Sequence, residues 1–337
     1  MENSWLTRCY RIFILLGLSS GLTFISCTSE ADKRPLPEGM DFRQEMRNFV
    51  AEISGYAKSS NPQFIIIPQN GQELVTQNGE GDGSLAAAYL DTIDGVGRED
   101  LFYGYDNDDK ATPVDERTYM LGYLDICEAN GVEVLVTDYC STHTKMDDSY
   151  SQNAMHQFTS YAAPERDLNL IPDYPLHPFN ENGNVINSLS EAKNFLYLID
   201  PGSYGSKEEM ITQIGASNYD ALIIDLFYEE NALKAADVES LRAKANGGSR
   251  LVICYMSIGE AEDYRFYWQS SWNSERPAWL DAENPDWEGN YKVRYWDPGW
   301  KSIIYGSSTA YLDKILAAGF DGVYLDIIDA FEYFEEY

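Results

Sequence analysis

The chain has little histidine, little cysteine and few basic residues for its length. Only three histidines occur in 337 residues, and none stands at metal-ligand spacing or beside a suitable serine or cysteine nucleophile. The five cysteines form no CxxC motif. These absences argue against a metal centre and against a Ser/His/Asp triad. We therefore expect neither a metal nor a cofactor.

The charge balance is strongly acidic. Lysine and arginine number 24 against 55 acids, which gives a formal net charge of −31. Such a chain is a poor partner for nucleic acid or an anionic membrane surface. The excess of acidic residues would suit a cationic substrate, or it simply gives the protein a soluble acidic surface. With 44% hydrophobic residues, the chain can bury a large core in one barrel-sized domain or two smaller ones.

The N-terminus has the pattern of a targeting segment. Two arginines precede a short apolar run over residues 12–25, which is too short for a comfortable membrane span. Phe24-Ile25-Ser26-Cys27 resembles the lipobox of bacterial lipoproteins. We predict a signal peptide over residues 1–26, acylation of Cys27 and a tether over residues 27–40, with a plain secretory signal as the alternative. The prediction is a cell-envelope lipoprotein of a Gram-negative outer membrane, attached only through its lipid.

Helical and strand-like segments alternate from about residue 41 to the end. Near-continuous apolar strands of this kind are typical of parallel strands covered by helices. Eight of them favour a closed parallel (β/α)8 TIM barrel, in the α/β class, over an open sheet. The predicted strands lie at 64–70, 91–103, 132–140, 195–200, 221–225, 251–258, 292–296 and 322–326.

Acids stand where several of these strands end. Residues 219–225 and 320–326 resemble each other, and they end in Asp225 and Asp326. The strand at 251–258 is followed by Glu260, further acids and a run of aromatic residues. Barrel active sites lie at the C-terminal ends of the strands, and carboxylates with flat rings suit a sugar site. Ordinary strands also end in acids and glycine, so this pattern has a structural alternative.

Four segments carry a family resemblance. CYMSIGEAEDYRFYW, YKVRYWDPGW, GFDGVYLDIIDAFEYF and IDGVGREDLFYGYD resemble bacterial endo-α-1,4-polygalactosaminidase-like glycoside hydrolases. The resemblance implies a single (β/α)8 barrel over residues 41–337. It also implies an enzyme that cleaves α-linked, amino-sugar-containing polysaccharide.

The order of the segments differs from that family. In that family, the barrel opens with the segment that resembles FLYLID. The segment that resembles DIIDAFEYFEEY is followed there by the one that resembles MRNFVAEISGYAKSSNPQFIIIPQNG, whereas in this chain DIIDAFEYFEEY comes last. The chain therefore resembles a circular permutant, which nearby chain ends tolerate. We expect Asp41 and Glu335 to lie close together. We also expect FLYLID to pair with both VEVLVTDYC and ALIID.

Asp225 and Glu260 are the candidate catalytic pair. Each ends one of two strands that are consecutive in the chain, and neighbouring strands lie about 4.8 Å apart. Their carboxyls can therefore approach the roughly 5–5.5 Å of a retaining glycosidase. The resemblance points to the same residues, with Glu260 as nucleophile and Asp225 as acid/base. Each acid has a structural alternative as a strand-end hydrogen-bonding group.

Further residues are expected near the substrate. Asp326 is placed to orient a substrate hydroxyl or amine, and Arg265 is either a substrate contact or an ion-pair partner of Asp263 or Glu262. The three N-terminal strands supply weaker candidates, for which turn or capping roles are the alternative. The remaining substrate-binding candidates are Tyr255, Tyr295, Trp296, Asp297, Gln69, Asn70, Glu99, Asp138 and Tyr139.

Tryptophan is concentrated in one segment. Six of the seven tryptophans fall between residues 268 and 300, which suits either core packing or a carbohydrate groove. The sequence thus predicts a lipid-anchored glycoside hydrolase with a polysaccharide or oligosaccharide substrate. A non-catalytic carbohydrate-binding lipoprotein on the same barrel is the alternative.

Overall fold

The computed structural model of this protein describes residues 34–337. The predicted signal peptide, Cys27 and the first part of the predicted tether lie outside these residues. Within the described part of the chain, no helix is both long enough and apolar enough to cross a membrane.

Strands and helices alternate along residues 34–337. In chain order, the strands are β1 (Ile65–Pro68), β2 (Gly95–Glu99), β3 (Glu133–Tyr139), β4 (Thr159–Ala163), β5 (Phe195–Leu198), β6 (Ala221–Ile224), β7 (Phe227–Tyr228), β8 (Asn231–Ala232), β9 (Leu251–Ser257), β10 (Glu260–Glu262), β11 (Leu280–Glu283), β12 (Asn290–Val293) and β13 (Gly322–Asp326). The α-helices are α1 (Phe42–Ser60), α2 (Ala87–Leu90), α3 (Val114–Ala129), α4 (His143–Met155), α5 (Lys207–Gly215), α6 (Ala235–Leu241), α7 (Pro298–Ile304), α8 (Tyr311–Ala318) and α9 (Ala330–Glu335).

Local sequence explains where two of these helices begin. The Asp41 side chain accepts a hydrogen bond from the Gln44 backbone N–H at 2.8 Å and so caps α1. Ser206 caps α5 in the same way, through the Glu209 N–H at 3.1 Å. The buried face of α1 carries apolar residues three and four positions apart, as the sequence predicts.

The strands build two parallel sheets. One has the order β1-β13-β9-β6-β5, and the other has the order β2-β3-β4. A parallel bridge from Gln69, just after β1, to Gly97 in β2 joins them. At the other seam β4 lies beside β5, where the Tyr161 and Phe195 rings are 5.7 Å apart, without a hydrogen-bonded ladder. The fold is therefore α/β with parallel strands.

One predicted parallel strand is wrong. Residues 292–296 were expected in the parallel sheet, but β12 pairs antiparallel with β10 and β11 in a separate three-stranded sheet. We call this three-stranded sheet the β10–β12 sheet. The parallel strand that the sequence did not reveal is β4, TSYAA. Its short side chains give little hydrophobic pattern, and it is recognisable only because it pairs with β3.

The predicted pairing of FLYLID is half right. Strand β5 pairs in parallel with β6, which contains ALII, as expected. The predicted pairing with VEVLVTDYC is wrong, because β3 pairs with β2 and β4 instead. The unforeseen strand β4 occupies the place that β5 was expected to take beside β3.

The two ends of the described fold meet. Arg43 forms an ion pair with Glu335 at 2.9 Å, and the Phe42 and Phe334 rings lie 5.7 Å apart. The start of α1 therefore lies against α9, as expected for Asp41 and Glu335. Helix α9 follows the C-terminal end of β13, so the chain ends lie toward the edge of the sheet that carries the strand-end acids.

Candidate active site

The site lies at the C-terminal ends of the parallel strands. Strands β6 and β9 are neighbours, with Ile224 opposite Cys254, so the predicted adjacency of the strands before Asp225 and Glu260 is confirmed. Strand β13 lies on the other side of β9 and ends in Asp326. Because parallel strands point the same way, their terminal acids share one edge of the sheet.

Asp225 is nearly buried and bound to a cation. Its carboxylate accepts hydrogen bonds from the Phe227 N–H at 2.7 Å and from Nη1 of Arg265 at 2.7 Å. Burial raises the pKa of Asp225, and the positive charge of Arg265 opposes this rise. The environment therefore favours a carboxyl group that carries a proton more readily than an exposed aspartate.

Arg265 joins two acids. Besides Asp225 it contacts Glu262, whose Oε2 accepts from its Nε at 2.6 Å. The ion-pair alternative with Glu262 is therefore present in the fold. Glu262 also accepts a hydrogen bond from the Tyr264 hydroxyl at 2.5 Å.

Glu260 is held by the β10–β12 sheet and the turn within it. Its side chain is almost fully buried and forms an ion pair with Nζ of Lys292 at 2.6 Å. Nδ2 of Asn284 donates to it at 2.8 Å and Nδ2 of Asn290 at 3.3 Å. Three donors therefore orient this carboxylate, and the bond to the ammonium group is charge-assisted.

Asp225 and Glu260 belong to separate networks. Among the described residues, no hydrogen bond or ion pair joins them or joins Arg265 to Lys292. Their action as a pair stays a prediction, supported by the adjacency of β6 and β9.

A second group of predicted residues converges on Glu99. Its carboxylate accepts from Nε2 of Gln69 at 2.6 Å, from Nδ2 of Asn70 at 3.0 Å and from the Tyr139 hydroxyl. Tyr197, in turn, donates to Oε1 of Gln69 at 2.9 Å. Four of the weaker candidates thus form one hydrogen-bonded cluster.

Asp326 lies near this cluster. Its carboxyl accepts from the Tyr255 hydroxyl at 2.6 Å and from the Ile327 N–H at 2.8 Å. Burial, followed by the negative charge of Glu99, raises the pKa of Asp326 to about 8. This carboxyl therefore holds a proton near neutral pH.

Other predicted site residues have structural partners. Asp138 is fully buried and accepts from the Phe102 and Tyr103 N–H groups and from Ser149 and Asn153. Its carboxylate therefore fastens the segment after β2 to α4.

The remaining candidates, from the segment after β12, also have structural partners. Tyr295 is fully buried and its hydroxyl donates to the Phe42 carbonyl at 2.8 Å. Trp296 packs on Phe42, with ring centroids 5.1 Å apart. Asp297 caps α7 through the Gly299 N–H at 2.7 Å.

Core packing accounts for half of the six clustered tryptophans. Trp272, Trp279 and Trp300 are buried. Trp279 packs on both of the others, with ring centroids 4.9 Å and 5.2 Å apart. Trp287, by contrast, is 43% exposed.

Sequence reasoning missed the residues that hold Glu260. Asn290 and Lys292 stand two apart on β12 and so share a face. In the antiparallel register Lys292 lies opposite Glu260. The available signal was the alternation of polar residues in NYKVRY, which overlaps the parallel strand predicted at 292–296.

A polar cavity of about 370 Å³ also escaped prediction. It includes Asp329, whose pKa burial raises to about 6, with the charge of Lys292 opposing this rise and that of Glu260 adding to it. These interactions place Asp329 near the Glu260 network. The cavity is lined by Asn70, Gly71, Gln72, Glu73, Arg98, Tyr105, Glu116, Tyr119, Met120, Asp329 and Glu332.

Acids that follow neighbouring strands of a parallel α/β scaffold are typical of glycoside hydrolases. Comparison with known proteins agrees: residues 182–336 match the model of glycoside-hydrolase family GH114. This match supports a glycoside hydrolase in general. It contains Asp225, Glu260 and Asp326, but not Glu99.

Curated relatives are similar to part of the chain. The protein is 43% identical over 155 residues to an uncharacterized protein of Methanocaldococcus jannaschii, covering 45% of this chain and 42% of that protein. It is 43% identical over 129 residues to an uncharacterized protein of Deinococcus radiodurans, covering 38% of this chain and 39% of that protein. It is 39% identical over 124 residues to an uncharacterized protein of Thermotoga maritima, covering 37% of this chain and 37% of that protein. The chain thus spans less than half the length of the curated relatives it matches.

Proposed function

We propose that this protein is a glycoside hydrolase that cleaves α-linked, amino-sugar-containing polysaccharide by a retaining mechanism. The observation that carries the proposal is the two differently held acids that follow the neighbouring strands β6 and β9. Asp225 is the acid/base and Glu260 is the nucleophile. Retaining glycosidases require this division between a protonated and an ionised carboxyl.

The proposed reaction has two steps. Asp225 gives its proton to the glycosidic oxygen as the bond from that oxygen to the anomeric carbon breaks, and Glu260 attacks the same carbon to form a glycosyl ester. Asp225, now ionised, takes a proton from water. That water attacks the anomeric carbon and releases Glu260. Burial of Asp225 supports the first step, and the three donors on Glu260 orient it for attack.

The acidic cavity supports an amino-sugar substrate. Four acids, Glu73, Glu116, Asp329 and Glu332, line it, with Arg98 as its cation. Asp329 connects it electrostatically to Glu260. A sugar bearing a free ammonium group would gain favourable charge interactions there, whereas its N-acetylated form would not.

Hydrolysis of galactosamine polymers by the parent and two amide variants tests the catalytic assignment. We expect Asp225→Asn and Glu260→Gln to fold and to lose activity by orders of magnitude, since proton transfer alone contributes about 10²–10⁴-fold. Asp125→Asn on the exposed face of α3 is the matched control. Parent-level activity in either site variant would reject that residue, and binding without cleavage by the parent would favour the non-catalytic alternative.

Substrate choice is tested with a matched polymer. Fully N-acetylated galactosamine polymer has the same backbone without the positive charges. We expect faster hydrolysis of the free-amine form, by tenfold or more. Equal rates on both polymers would contradict the amino-sugar assignment while leaving the hydrolase assignment in place.

We further propose that the parallel strands form a closed (β/α)8 barrel in a circularly permuted order. The bridge between Gln69 and Gly97, the contact of β4 with β5 and the contact of α1 with α9 support it. The family match, which begins at residue 182 and ends at residue 336, agrees with that order.

A re-permuted variant tests this order. It would begin at residue 182, join residue 337 to residue 41 through a short flexible linker, and end at residue 181. We expect it to fold with parent-like stability, because the joined ends already touch. An unfolded product with several linker lengths would contradict the permutation.

The anchor is a separate proposal. Cys27→Ser should release the protein from membrane fractions, because acyl chains supply the membrane affinity. Loss of radiolabelled palmitate from the variant is the accompanying measurement. Unchanged membrane association would reject the lipoprotein assignment.

A further inference from the structure

The turn between β11 and β12, residues 284–289, carries an exposed tryptophan. Trp287 is 43% exposed, in contrast to the three buried tryptophans of the core. Tryptophan is highly buried on average, because its ring carries a large apolar surface. Its sequence neighbours Asp286 and Glu288 are exposed acids, and residues 283–290 contain three acids and no basic residue. A large apolar ring therefore lies at the surface within a negatively charged turn.

The 284–289 turn is held by its own hydrogen bonds. The Trp287 N–H donates to the Asn284 carbonyl at 3.2 Å, and the Asn290 N–H donates to the Trp287 carbonyl at 3.0 Å. The Gly289 N–H donates to Oε1 of Glu283 at 2.9 Å. Gly289 has a φ of 87°, a conformation that favours glycine. The backbone that carries the ring is thus preorganised, which lowers the entropy cost of binding.

A second exposed ring and further acids lie at the same end of the β10–β12 sheet. The Asp263 N–H donates to the Gly289 carbonyl at 2.8 Å, which places Tyr264 beside the turn. Tyr264 is 55% exposed. Burial, and then the negative charges of Glu283 and Asp263, raise the pKa of Tyr291 on β12. Carboxylates therefore gather at the end of the sheet where the two exposed rings lie.

One amide side chain connects the turn to the candidate active site. Oδ1 of Asn284 accepts from the Asp286 N–H at 3.1 Å, and Nδ2 of the same residue donates to Glu260 at 2.8 Å. The turn and the Glu260 carboxylate are therefore fixed relative to each other. A sugar chain that contacts the turn can continue from there into the candidate active site.

We propose that the 284–289 turn is a second polysaccharide-binding site, outside the reacting carboxyls. The Trp287 ring stacks on a pyranose ring, and Asp286 and Glu288 attract ammonium groups of the same chain. A polymer of amino sugars is a polycation, so its charge is complementary to the turn and to the net charge of −31. The inference rests on the amino-sugar substrate proposed above, but not on which carboxyl performs the chemistry.

Binding to insoluble, deacetylated galactosamine polymer tests the ring, with bound protein measured by depletion in the cold. We expect Trp287→Ala to weaken binding by about tenfold, whereas Trp287→Phe keeps an aromatic face and should stay within about threefold of the parent. Leu85→Ala, which changes an apolar side chain that is also 43% exposed, is the matched control. Parent-like binding by Trp287→Ala, or an equal loss in Leu85→Ala, would overturn the proposal.

A charge variant tests the same site without changing the ring. The double variant Asp286→Asn/Glu288→Gln should bind the deacetylated polymer about fivefold more weakly at low salt, with a smaller effect at high salt. Its binding to fully N-acetylated polymer should equal that of the parent. Glu80→Gln/Asp82→Asn is the control, because it removes two exposed acids that also flank a single residue. An unchanged affinity, or the same loss on both polymers, would contradict the role of the charges.

Hydrolysis gives a further readout. A long polymer reaches the turn and the active site together, which raises its effective concentration at the active site, whereas a short oligosaccharide does not. Trp287→Ala should therefore raise the KM for polymer by about tenfold and leave kcat/KM for a disaccharide substrate unchanged. Equal KM values for polymer would overturn the proposal. A parent dimer that Trp287→Ala abolishes, with polymer binding unchanged, would identify a second copy as the occupant instead.

These measurements separate the binding site from the proposed function. A parent that binds polymer through Trp287 without cleaving it rejects the hydrolase and leaves the binding site in place. A parent that cleaves polymer, with Trp287→Ala equal to it in binding and in KM, rejects only the binding site.

Discussion

Residues 182–336 hold their candidate catalytic carboxyls with cations, whereas residues 41–181 hold Glu99 with neutral donors. Asp225 is paired with Arg265 and Glu260 with Lys292. Glu99 instead accepts from two amides and a tyrosine hydroxyl. Asp225 and Glu99 lie at the C-terminal ends of parallel strands, and Glu260 begins β10 shortly after the parallel strand β9 ends.

The difference determines where the charge of each group acts. A cation beside a buried carboxylate compensates for lost hydration, so Asp225 and Glu260 can be buried next to reactive chemistry. Neutral donors orient Glu99 but leave its negative charge uncompensated. That charge reaches Asp326 and contributes to its raised pKa. Residues 182–336 thus pair their candidate catalytic carboxyls with cations, whereas Glu99 acts on a neighbouring carboxyl through its charge.

The largest expected effect, on the free energy of unfolding, comes from removing a cation. Lys292→Met leaves the buried Glu260 carboxylate with amide donors only, so we expect the free energy of unfolding to fall by about 2–4 kcal/mol. Tyr139→Phe removes one neutral donor from Glu99 and should cost about 1 kcal/mol. Urea unfolding at pH 7 measures both.

A surface pair serves as the control for this prediction. Lys58 pairs with Asp94 at 2.9 Å where both side chains are partly exposed, and Lys58→Met should cost under about 1 kcal/mol. If Lys292→Met lowers the free energy of unfolding no more than Lys58→Met or Tyr139→Phe does, residues 182–336 and residues 41–181 do not differ in how they hold their carboxyls.

The next effect concerns the pH dependence of stability. The folded protein holds the Asp326 proton up to a pKa of about 8, whereas the unfolded chain releases it at a lower, ordinary aspartate pKa. The free energy of unfolding therefore falls as pH rises between these two values. Asp326→Asn lacks this loss, so its stability relative to the parent should increase from pH 5 to pH 8 by on the order of 1–3 kcal/mol.

Unfolding curves for both proteins across that range measure the difference, in which all other titrating groups cancel to first order. A difference that stays constant from pH 5 to pH 8 would contradict a raised pKa for Asp326.

The smallest effect isolates the influence of Glu99. Glu99→Gln keeps a group that can accept hydrogen bonds but removes the negative charge, so the pKa of Asp326 should fall by about one unit. Carboxyl ¹³C NMR of Asp326 measures the change. Asp100→Asn, which alters a neighbouring acid already paired with Arg166 at 2.7 Å, should leave that titration unchanged.

Much of the scaffold was predictable because it follows from local pattern. Apolar runs located seven of the eight strands of the parallel sheets, and their order along the chain placed Asp225 and Glu260 after neighbouring strands. Strand β4 was missed because TSYAA has no marked hydrophobic pattern. KVRYW was misassigned because its alternation is the same in a parallel and an antiparallel strand.

The sequence by itself determined the α/β alternation and the acids at the strand ends, because hydrophobic period and strand direction are local properties. Only the tertiary structure decided which partner each acid has. Lys292 reaches Glu260 through the antiparallel register of β10 and β12, and Arg265 reaches Asp225 across 40 residues of sequence. Such pairings depend on register and packing between distant segments, and these set the charge around each carboxyl.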